Sequence, residues 1–427
     1  MYKRHAACFT RALLLATLFL IYPFSLNAEV GEMAKIADND VYLMTAHVWN
    51  VWQRFQDGEN VDLDVEFEKE IGLHPNYPSS YLWAALPKVR RLFINRENLH
   101  RDTKVLPYLQ SCVDLAHKAT KIKGLRDSGN YHLAMCEAGL AFYSGIRRDY
   151  FDAHSHGIKA FDSMKQLMKD RPNLHAALLI YGIYNYYTGI FGPFTKAILY
   201  LIGFTPGDKP TGLKQVERAS VEKSPFRFLA QVFLTNLYSA RLANRRKGVE
   251  LCDELIKEHP KNYLPYMLKG EVLIRYPRYK SAMKAYRQAR KLIPESSTNY
   301  NELMVSADVL LIQMRMAWIR SLTERHTASL KWLNRFANLK RSNYNDGPLL
   351  ANVLMGHIYS MAGMDDKAQN FYKAVDRLEH GEWVKDVAKK YQKRPIRKRG
   401  KYIRFHKKNK DKLRKWLEKY PEIKPRG

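Results

Sequence analysis

The chain has few cysteines. Its 427 residues contain four, and Cys8 lies before the first long apolar run. The three that follow, Cys112, Cys136 and Cys252, are too few for the disulfide framework of a small secreted domain. Cys112 and Cys136 lie on segments that we expect to be neighbouring helices, so an oxidising compartment would allow one bridge between them. The favoured interpretation is that they are buried thiols acting as small apolar side chains.

Motifs of nucleotide-binding and common hydrolytic sites are also absent. There is no His-Glu-x-x-His helix and no Gly-x-Ser-x-Gly turn. Gly207 and Gly212 have the spacing of a phosphate-binding loop, but Leu213 and Lys214 stand where Lys and Ser/Thr are required. We therefore expect no nucleotide hydrolysis.

Two groups of titratable side chains are weak candidates for chemistry. His154 and His156 would point to different faces of one helix, and no third metal ligand is evident. The acidic run from Asp62 to Glu70 is most simply a solvated helix face. A paired-carboxylate glycosidase would need an enclosed cleft to separate the two acidities. The sequence thus predicts no metal, no cofactor and no enzymatic activity.

The N-terminus has the pattern of an export signal. Three Lys/Arg residues among the first eleven precede the apolar run 12–24, and the polar, small-residue stretch 25–28 follows. The run is shorter than the roughly 20 residues that cross a bilayer. No Asn-x-Ser/Thr glycosylation acceptor is present. These features predict cleavage after Ala28 and export, in the first place to a bacterial periplasm; an uncleaved, membrane-associated anchor is the alternative.

The same landmarks occur twice at a distance of 34 residues. They are Gly248 and Ala282, Cys252 and Tyr286, Leu255 and Ala289, and Pro260 and Pro294. Small residues allow two helices to approach closely, and proline stops the second helix. The period is that of a helix-turn-helix unit, and the chain resembles the tetratricopeptide repeat (TPR) family.

The resemblance is strongest in residues 262–294. Tyr266 stands where the family has a large aromatic residue, Gly270 stands at its close-packing glycine, and Tyr286 belongs to its second-helix signature. A second copy begins at Leu349, with Gly356, Tyr359, Ala368 and Tyr372 in corresponding places.

Fainter copies and breaks in register surround these two. Residues 160–172 and 63–75 keep the second-helix spacing, and Cys136, Gly139 and Phe142 indicate a first helix before Pro172. The spacing between the two good copies is not a multiple of the period, which predicts extra helices at 302–320 and 329–339.

One repeat carries an insertion. Gly182 resembles a first-helix glycine and Gly212–Ala219 resembles a second helix, so about ten residues have been added between them. The apolar stretch 194–204 lies in this insertion. A longer helix pair with a proline-bounded turn is the favoured interpretation; a hydrophobic lip or docking surface is the alternative.

Positive charge is concentrated at the C-terminus. The net charge is +29, and residues 385–427 contain nineteen Lys/Arg against four acids. A solvated tail and attraction to an anionic membrane or envelope polymer explain this equally well, whereas export makes nucleic acid an unlikely partner. Residues 410–420 are expected to form a helix that caps the last repeat; a helix lying on a membrane surface is the alternative. The cations nominated for an anionic surface are Lys393, Arg394, Arg397, Lys398, Arg399, Arg404, Lys407 and Lys408.

We expect an all-α, TPR-type helix-turn-helix solenoid with a basic C-terminal extension. Its parts would be a signal peptide at 1–28, the solenoid at 29–380 and the basic segment at 381–427. The resemblance implies a non-enzymatic scaffold that holds a protein or peptide partner along its first helices. The residues nominated for this groove are Arg241, Glu271, Arg275 and His357. The alternatives are a polysaccharide-processing cell-envelope enzyme with the repeats as accessory surface, and a lipid- or lipopolysaccharide-binding protein.

Overall fold

The computed structural model describes most of the chain after residue 44, in two compact units. Unit 1 ends at Pro265 and unit 2 begins at Tyr266. The predicted signal peptide lies outside the described residues, as do the predicted helices 302–320 and 329–339 apart from the helical positions Met316 and Leu333. The described residues are 45–94, 104–122, 124–147, 149–201, 203, 205–221, 227–240, 242, 244–275, 278–293, 316, 333, 346–376, 382–393 and 407–419.

All regular structure in these described ranges is helical. Unit 1 contains α1 (Ala46–Gln56), α2 (Leu63–Leu73), α3 (Pro78–Ile94), α4 (Val105–Thr120), α5 (Arg126–Ile146), α6 (Tyr150–Asp170), α7 (His175–Gly189), α8 (Pro193–Leu201), α9 (Lys209–Val221), α10 (Arg227–Ala240) and α11 (Arg245–Glu258). Helix α12 (Tyr263–Arg275) crosses the boundary between the units. Unit 2 continues with α13 (Tyr279–Leu292), α14 (Asp346–Met361), α15 (Asp365–Asp376), α16 (Glu382–Lys393) and α17 (Lys407–Lys419).

Helices that follow one another in the chain pack as neighbours. The most extensive contacts join α5 to α6, α7 to α9, α4 to α5 and α14 to α15. Helix α6 shows why such pairs form: Gly157, Phe161, Met164 and Leu167 recur at spacings of three and four and are buried, while the Asp149 side chain accepts the Asp152 amide at its start. The expectation of an all-α array of helix pairs, as in an α-solenoid, is confirmed.

Two helix pairs of unit 2 pack through the same contact between a glycine and a tyrosine. A Cβ added at Gly270 in α12 would lie 2.6 Å from Cε1 of Tyr286 in α13. A Cβ at Gly356 in α14 would lie 2.5 Å from Cε1 of Tyr372 in α15. In both pairs a fully buried tyrosine ring therefore lies on the bare backbone of the preceding helix, where any larger residue would collide with it.

The insertion in the middle of unit 1 is organised as the glycine pattern predicts. Helix α7 packs directly on α9, and α8 lies between them in the chain. Gly182 of α7 approaches α9 so closely that an added Cβ would lie 2.9 Å from Cβ of Gln215 and 3.0 Å from the carbonyl oxygen of Gly212. Helices α7 and α9 thus pack on each other around the inserted α8, as the positions of the two glycines predict.

A disulfide joins α4 and α5. Cys112 and Cys136 are bonded, with their Cα atoms 6.1 Å apart, a separation that a disulfide spans without backbone movement. The buried-thiol interpretation is therefore wrong for these two residues. Cys252 is buried as a thiol in α11.

The first hairpin of unit 1 contacts the turn between α11 and α12, about two hundred residues later. The Asn262 side-chain amide donates to the backbone oxygen of Gln56 at 2.7 Å. Gly58 has a φ of +84°, and a Cβ there would lie 2.5 Å from the carbonyl oxygen of Lys261. Only glycine fits this position, because its backbone is left-handed and the opposing chain is too close. We call this contact the closing joint.

The core of unit 2 extends past residue 381. Leu413 and Leu417 of α17 and Val384 and Ala388 of α16 are buried in one cluster with α14 and α15. Trp416 is partly buried against the same cluster. Helices within the basic segment thus pack on the last repeat-like pair.

Candidate binding surfaces

Glu271, nominated for a partner groove, bonds within its own helix pair. The Tyr286 hydroxyl donates to its carboxylate at 2.6 Å across α12 and α13. Glu271 itself is partly exposed. The carboxylate therefore fixes the tyrosine that packs on Gly270.

His357 occupies the equivalent position in α14 and is buried. It is 6% exposed, and its Nδ1 lies 2.8 Å from the Tyr372 hydroxyl. The Tyr391 ring of α16 lies edge-on, with ring centroids 4.3 Å apart. Burial lowers the pKa of His357 to about 3, so the ring is neutral at pH 7. Burial also raises the pKa of Tyr372, which keeps its hydroxyl protonated.

The two nominated arginines differ in what the structure shows. Arg275 lies in the last turn of α12 and is partly exposed. A cation at this position is favoured by the dipole of the helix. Arg241 lies outside the described residues.

The basic segment presents cations on the outer sides of two packed helices. Lys393 ends α16 and is exposed, and Lys407 and Lys408 begin α17. Arg394, Arg397, Lys398, Arg399 and Arg404 lie outside the described residues. Further exposed cations on these helices are Lys389, Lys390, Lys412, Arg414, Lys415 and Lys419. Because the apolar sides of both helices are in the core, a basic outer surface remains.

The acidic run on α2 is not simply a solvated face. The Lys88 ammonium of α3, which is 3% exposed, lies 2.9 Å from Asp64 and 2.9 Å from Glu68. Lys104 adds a second cation, 3.0 Å from Glu68. Burial lowers the pKa of Lys88, although Glu68 opposes the shift. The carboxylates thus hold a buried lysine, which the local charge pattern could not indicate.

One of the two histidines of α6 bonds to the neighbouring helix α5. His156 Nδ1 lies 2.5 Å from the buried carboxylate of Glu137 on α5, so it ties the two helices together. Within the described ranges, no three His, Cys, Asp or Glu side chains are grouped as metal ligands.

The glycines at 207 and 212 serve packing. The Gly207 amide donates to the Thr188 hydroxyl at 2.8 Å. At the start of α9, the Thr211 amide donates to Asp208 at 2.9 Å. These two amides, which a phosphate-binding loop would direct at its ligand, are therefore bonded within the chain.

A small pocket, partly open to solvent, lies among α3, α4 and α5. Its lining is apolar and includes Leu86, Leu109, Met135 and Phe142. It offers no group that could transfer a proton or attack a substrate. No helix in the described part of the chain is long and apolar enough to cross a membrane.

Comparisons with family models, curated proteins and solved structures found no match to this chain.

Proposed function

We propose that this chain is a TPR-type scaffold of the bacterial cell envelope that binds a protein or peptide partner and has no enzymatic activity. The observation that carries the proposal is the glycine–tyrosine contact repeated in α12/α13 and α14/α15. In each pair the two residues are sixteen positions apart, as the TPR resemblance requires. Stacked helix pairs of this kind leave an extended surface rather than a closed pocket.

Export is supported by the cysteines. A disulfide between α4 and α5 persists in an oxidising compartment and is rare in the cytosol of mesophiles. It agrees with the export signal in residues 1–28.

In this proposal the two nominated arginines make the polar contacts to the partner. Glu271 and His357 are engaged by Tyr286 and Tyr372, so charge-assisted bonds to a partner fall to Arg241 and Arg275. Apolar side chains of neighbouring first helices would supply contact area.

The basic outer surface of α16 and α17 has a second role in this proposal. Its cations would hold the scaffold against anionic lipid or an anionic envelope polymer, with a gain of about 1 kcal/mol for each cation near the surface. Raising the salt concentration should weaken this attachment.

The test is crosslinking in the native envelope followed by identification of the captured proteins. Arg241→Glu with Arg275→Glu should reduce capture of the partner at least tenfold and lower the melting temperature only slightly, because a Glu in the last turn of α12 opposes the helix dipole. Arg246→Glu is the matched control, because Arg246 is an exposed cation on the second helix α11. Capture that is unchanged in the double variant would remove the groove assignment.

A separate assay addresses the enzymatic alternative. The purified protein is incubated with peptidoglycan fragments, and no products should appear. Product release that disappears on Glu-to-Gln substitution would favour the enzyme instead.

A further inference from the structure

Helix α8, inserted between α7 and α9, has an exposed apolar face. Phe194 is 71% exposed, Tyr200 71% and Leu201 82%, and Pro193 and Ala197 are also exposed. Phe194, Ala197 and Leu201 follow at spacings of three and four, so they share one side of the helix. We call these five residues the α8 face. Large apolar side chains that gather in this way on a surface mark a binding site.

Hydrogen bonds attach the chain that follows this face, residues 205–207, to α7 and to α8 itself. The Tyr184 hydroxyl of α7 donates to the carbonyl oxygen of Thr205 at 2.7 Å. The Gly207 amide donates to the Thr188 hydroxyl, and the Lys196 ammonium lies 3.4 Å from the Gly207 carbonyl oxygen. The exposure of the α8 face is therefore a property of a packed element rather than of a dangling loop.

Helix α6, which Gly203 approaches, carries another exposed apolar side chain. Gly203 lies against α6, since a Cβ there would be 3.2 Å from Cδ1 of Ile158. Phe151 is seven residues before Ile158, which is two helical turns or about 10 Å along the same side of α6. Its side chain is 88% exposed.

The chain segment that contains α8 has few acidic residues. Residues 171–207 contain no Asp or Glu. Hydrogen bonds from Thr211 lower the pKa of Asp208, the first acid after this stretch, and Lys196 and Lys214 lower it further, which shows that both lysines are close. An occupant of the α8 face should therefore be apolar and bear negative charge beside its apolar part.

We propose that the α8 face inserts into the interfacial layer of an anionic lipid bilayer. Phe and Leu on a short helix enter the acyl boundary, Tyr keeps its hydroxyl at the head groups, and nearby lysines contact lipid phosphates. A lipid bilayer accepts an apolar helix face without a shaped pocket, whereas a protein partner would need a complementary surface. This surface is distinct from the nominated groove and from the basic outer surface of α16 and α17, so the inference stands or falls independently of them.

The experiment uses the full chain and sedimentation with vesicles of phosphatidylcholine, with and without phosphatidylglycerol. The wild type should pellet with the anionic vesicles. Phe194→Ser with Leu201→Ser should lower the partition coefficient at least about tenfold, because two large apolar side chains no longer leave water. Leu73→Ser is the matched control, since Leu73 is 62% exposed at the end of α2, and it should bind within about twofold of the wild type.

A charge variant separates this site from the basic segment. Arg397→Gln with Lys398→Gln and Arg399→Gln should weaken binding at low salt. The contribution of the α8 face should persist at high salt, where attraction between exposed charges is screened. In a second measurement, the fluorescence of Phe194→Trp should be quenched by brominated lipid more strongly than that of Leu73→Trp.

Three results would overturn the proposal. The wild type could fail to bind either vesicle, or the Phe194/Leu201 variant could bind like the wild type. The protein could also form a dimer that this variant dissociates, without vesicle binding, in which case the occupant is a second copy of the chain. Circular dichroism checks that the variants are folded, as expected for changes at exposed positions.

Discussion

The hydroxyl of Tyr286 donates a hydrogen bond to Glu271, fifteen residues earlier, and Tyr372 makes the corresponding contact with His357. In both pairs the residue directly before the hydrogen-bonding partner is the glycine under the tyrosine ring. Two distant parts of the chain thus form the same glycine–tyrosine contact, in which the tyrosine hydroxyl bonds once to a carboxylate and once to a neutral imidazole. Each of these contacts combines close packing with a hydrogen bond, and together they set the position of the second helix.

Gly270→Ala should destabilise the fold by about 1–3 kcal/mol, because the new methyl group would collide with the Tyr286 ring. The shift is measured as a lower midpoint of thermal unfolding by circular dichroism. Gly72→Ala is the control: Gly72 lies in α2 with nothing within 4 Å of an added Cβ, so it should be neutral or stabilising by about 0.5–1 kcal/mol. Equal midpoints for wild type and Gly270→Ala would contradict the packing account.

Removing the disulfide should lower stability by about 3 kcal/mol, since the bond closes a loop of 24 residues in the unfolded chain. The variant is Cys112→Ser with Cys136→Ser. Reductant should lower the unfolding midpoint of the wild type and leave that of the double variant unchanged. A wild-type midpoint that does not respond to reductant would show that the bond has no role in stability.

Stability should fall in mild acid because of His357. Its pKa is about 3 in the fold and near 6.5 when unfolded, so the unfolded chain takes up the proton first. The contribution is fully present above about pH 6.5 and is lost progressively as the pH falls toward 3, at a rate on the order of 1 kcal/mol per pH unit.

Urea unfolding at pH 7 and pH 4.5 measures this dependence, and His357→Gln should reduce it. His259, whose pKa burial lowers to about 4, adds a dependence of the same sign that the variant leaves in place. An identical pH dependence in wild type and variant would exclude His357 as its source.

Lys88→Met should destabilise unit 1 by about 2 kcal/mol, because Asp64 and Glu68 would lose their shared cation. Both carboxylates are partly exposed, so the loss should be smaller than for a fully buried pair. Lys104→Met is the matched control and should cost less than about 1 kcal/mol, since its side chain is 57% exposed. Adding Asp64→Asn and Glu68→Gln to Lys88→Met should recover most of the loss. If the free-energy losses of the Lys88 change and of the Asp64 and Glu68 changes were simply additive, the ion pairs would not contribute to stability.

Local patterns in the sequence were sufficient for the helix pairs. Glycine at the close approach and tyrosine sixteen residues later identify α12/α13 and α14/α15, because both residues act within one hairpin. The same reasoning found α7 and α9 around the insertion, since Gly182 and Gly212 lie at their crossing.

Local sequence patterns could not predict which side chains of neighbouring hairpins contact each other. The pairing of Lys88 with the acidic run and the bond between Cys112 and Cys136 depend on how neighbouring helices face each other. A charge pattern read along one helix contains no information about its neighbour. His357 is a related case, because the rings that bury it come from α15 and α16.

The outward orientation of the α8 face had no sequence signature either. An apolar helix between two others is more often buried than exposed, and the exposure of Phe194, Tyr200 and Leu201 is seen only in the structure.

The closing joint has a consequence for synthesis. The side chain of Asn262 can reach the backbone of Gln56 only when the ten described helices between them, α2 to α11, have emerged and taken their places. A contact that joins such distant residues forms late, because the entropy of closing the intervening chain is recovered only once the local hairpins exist. Unit 1 should therefore pass through an intermediate in which the hairpins are complete but the closing joint has not formed. A chain that ends before residue 262 would stay in this intermediate.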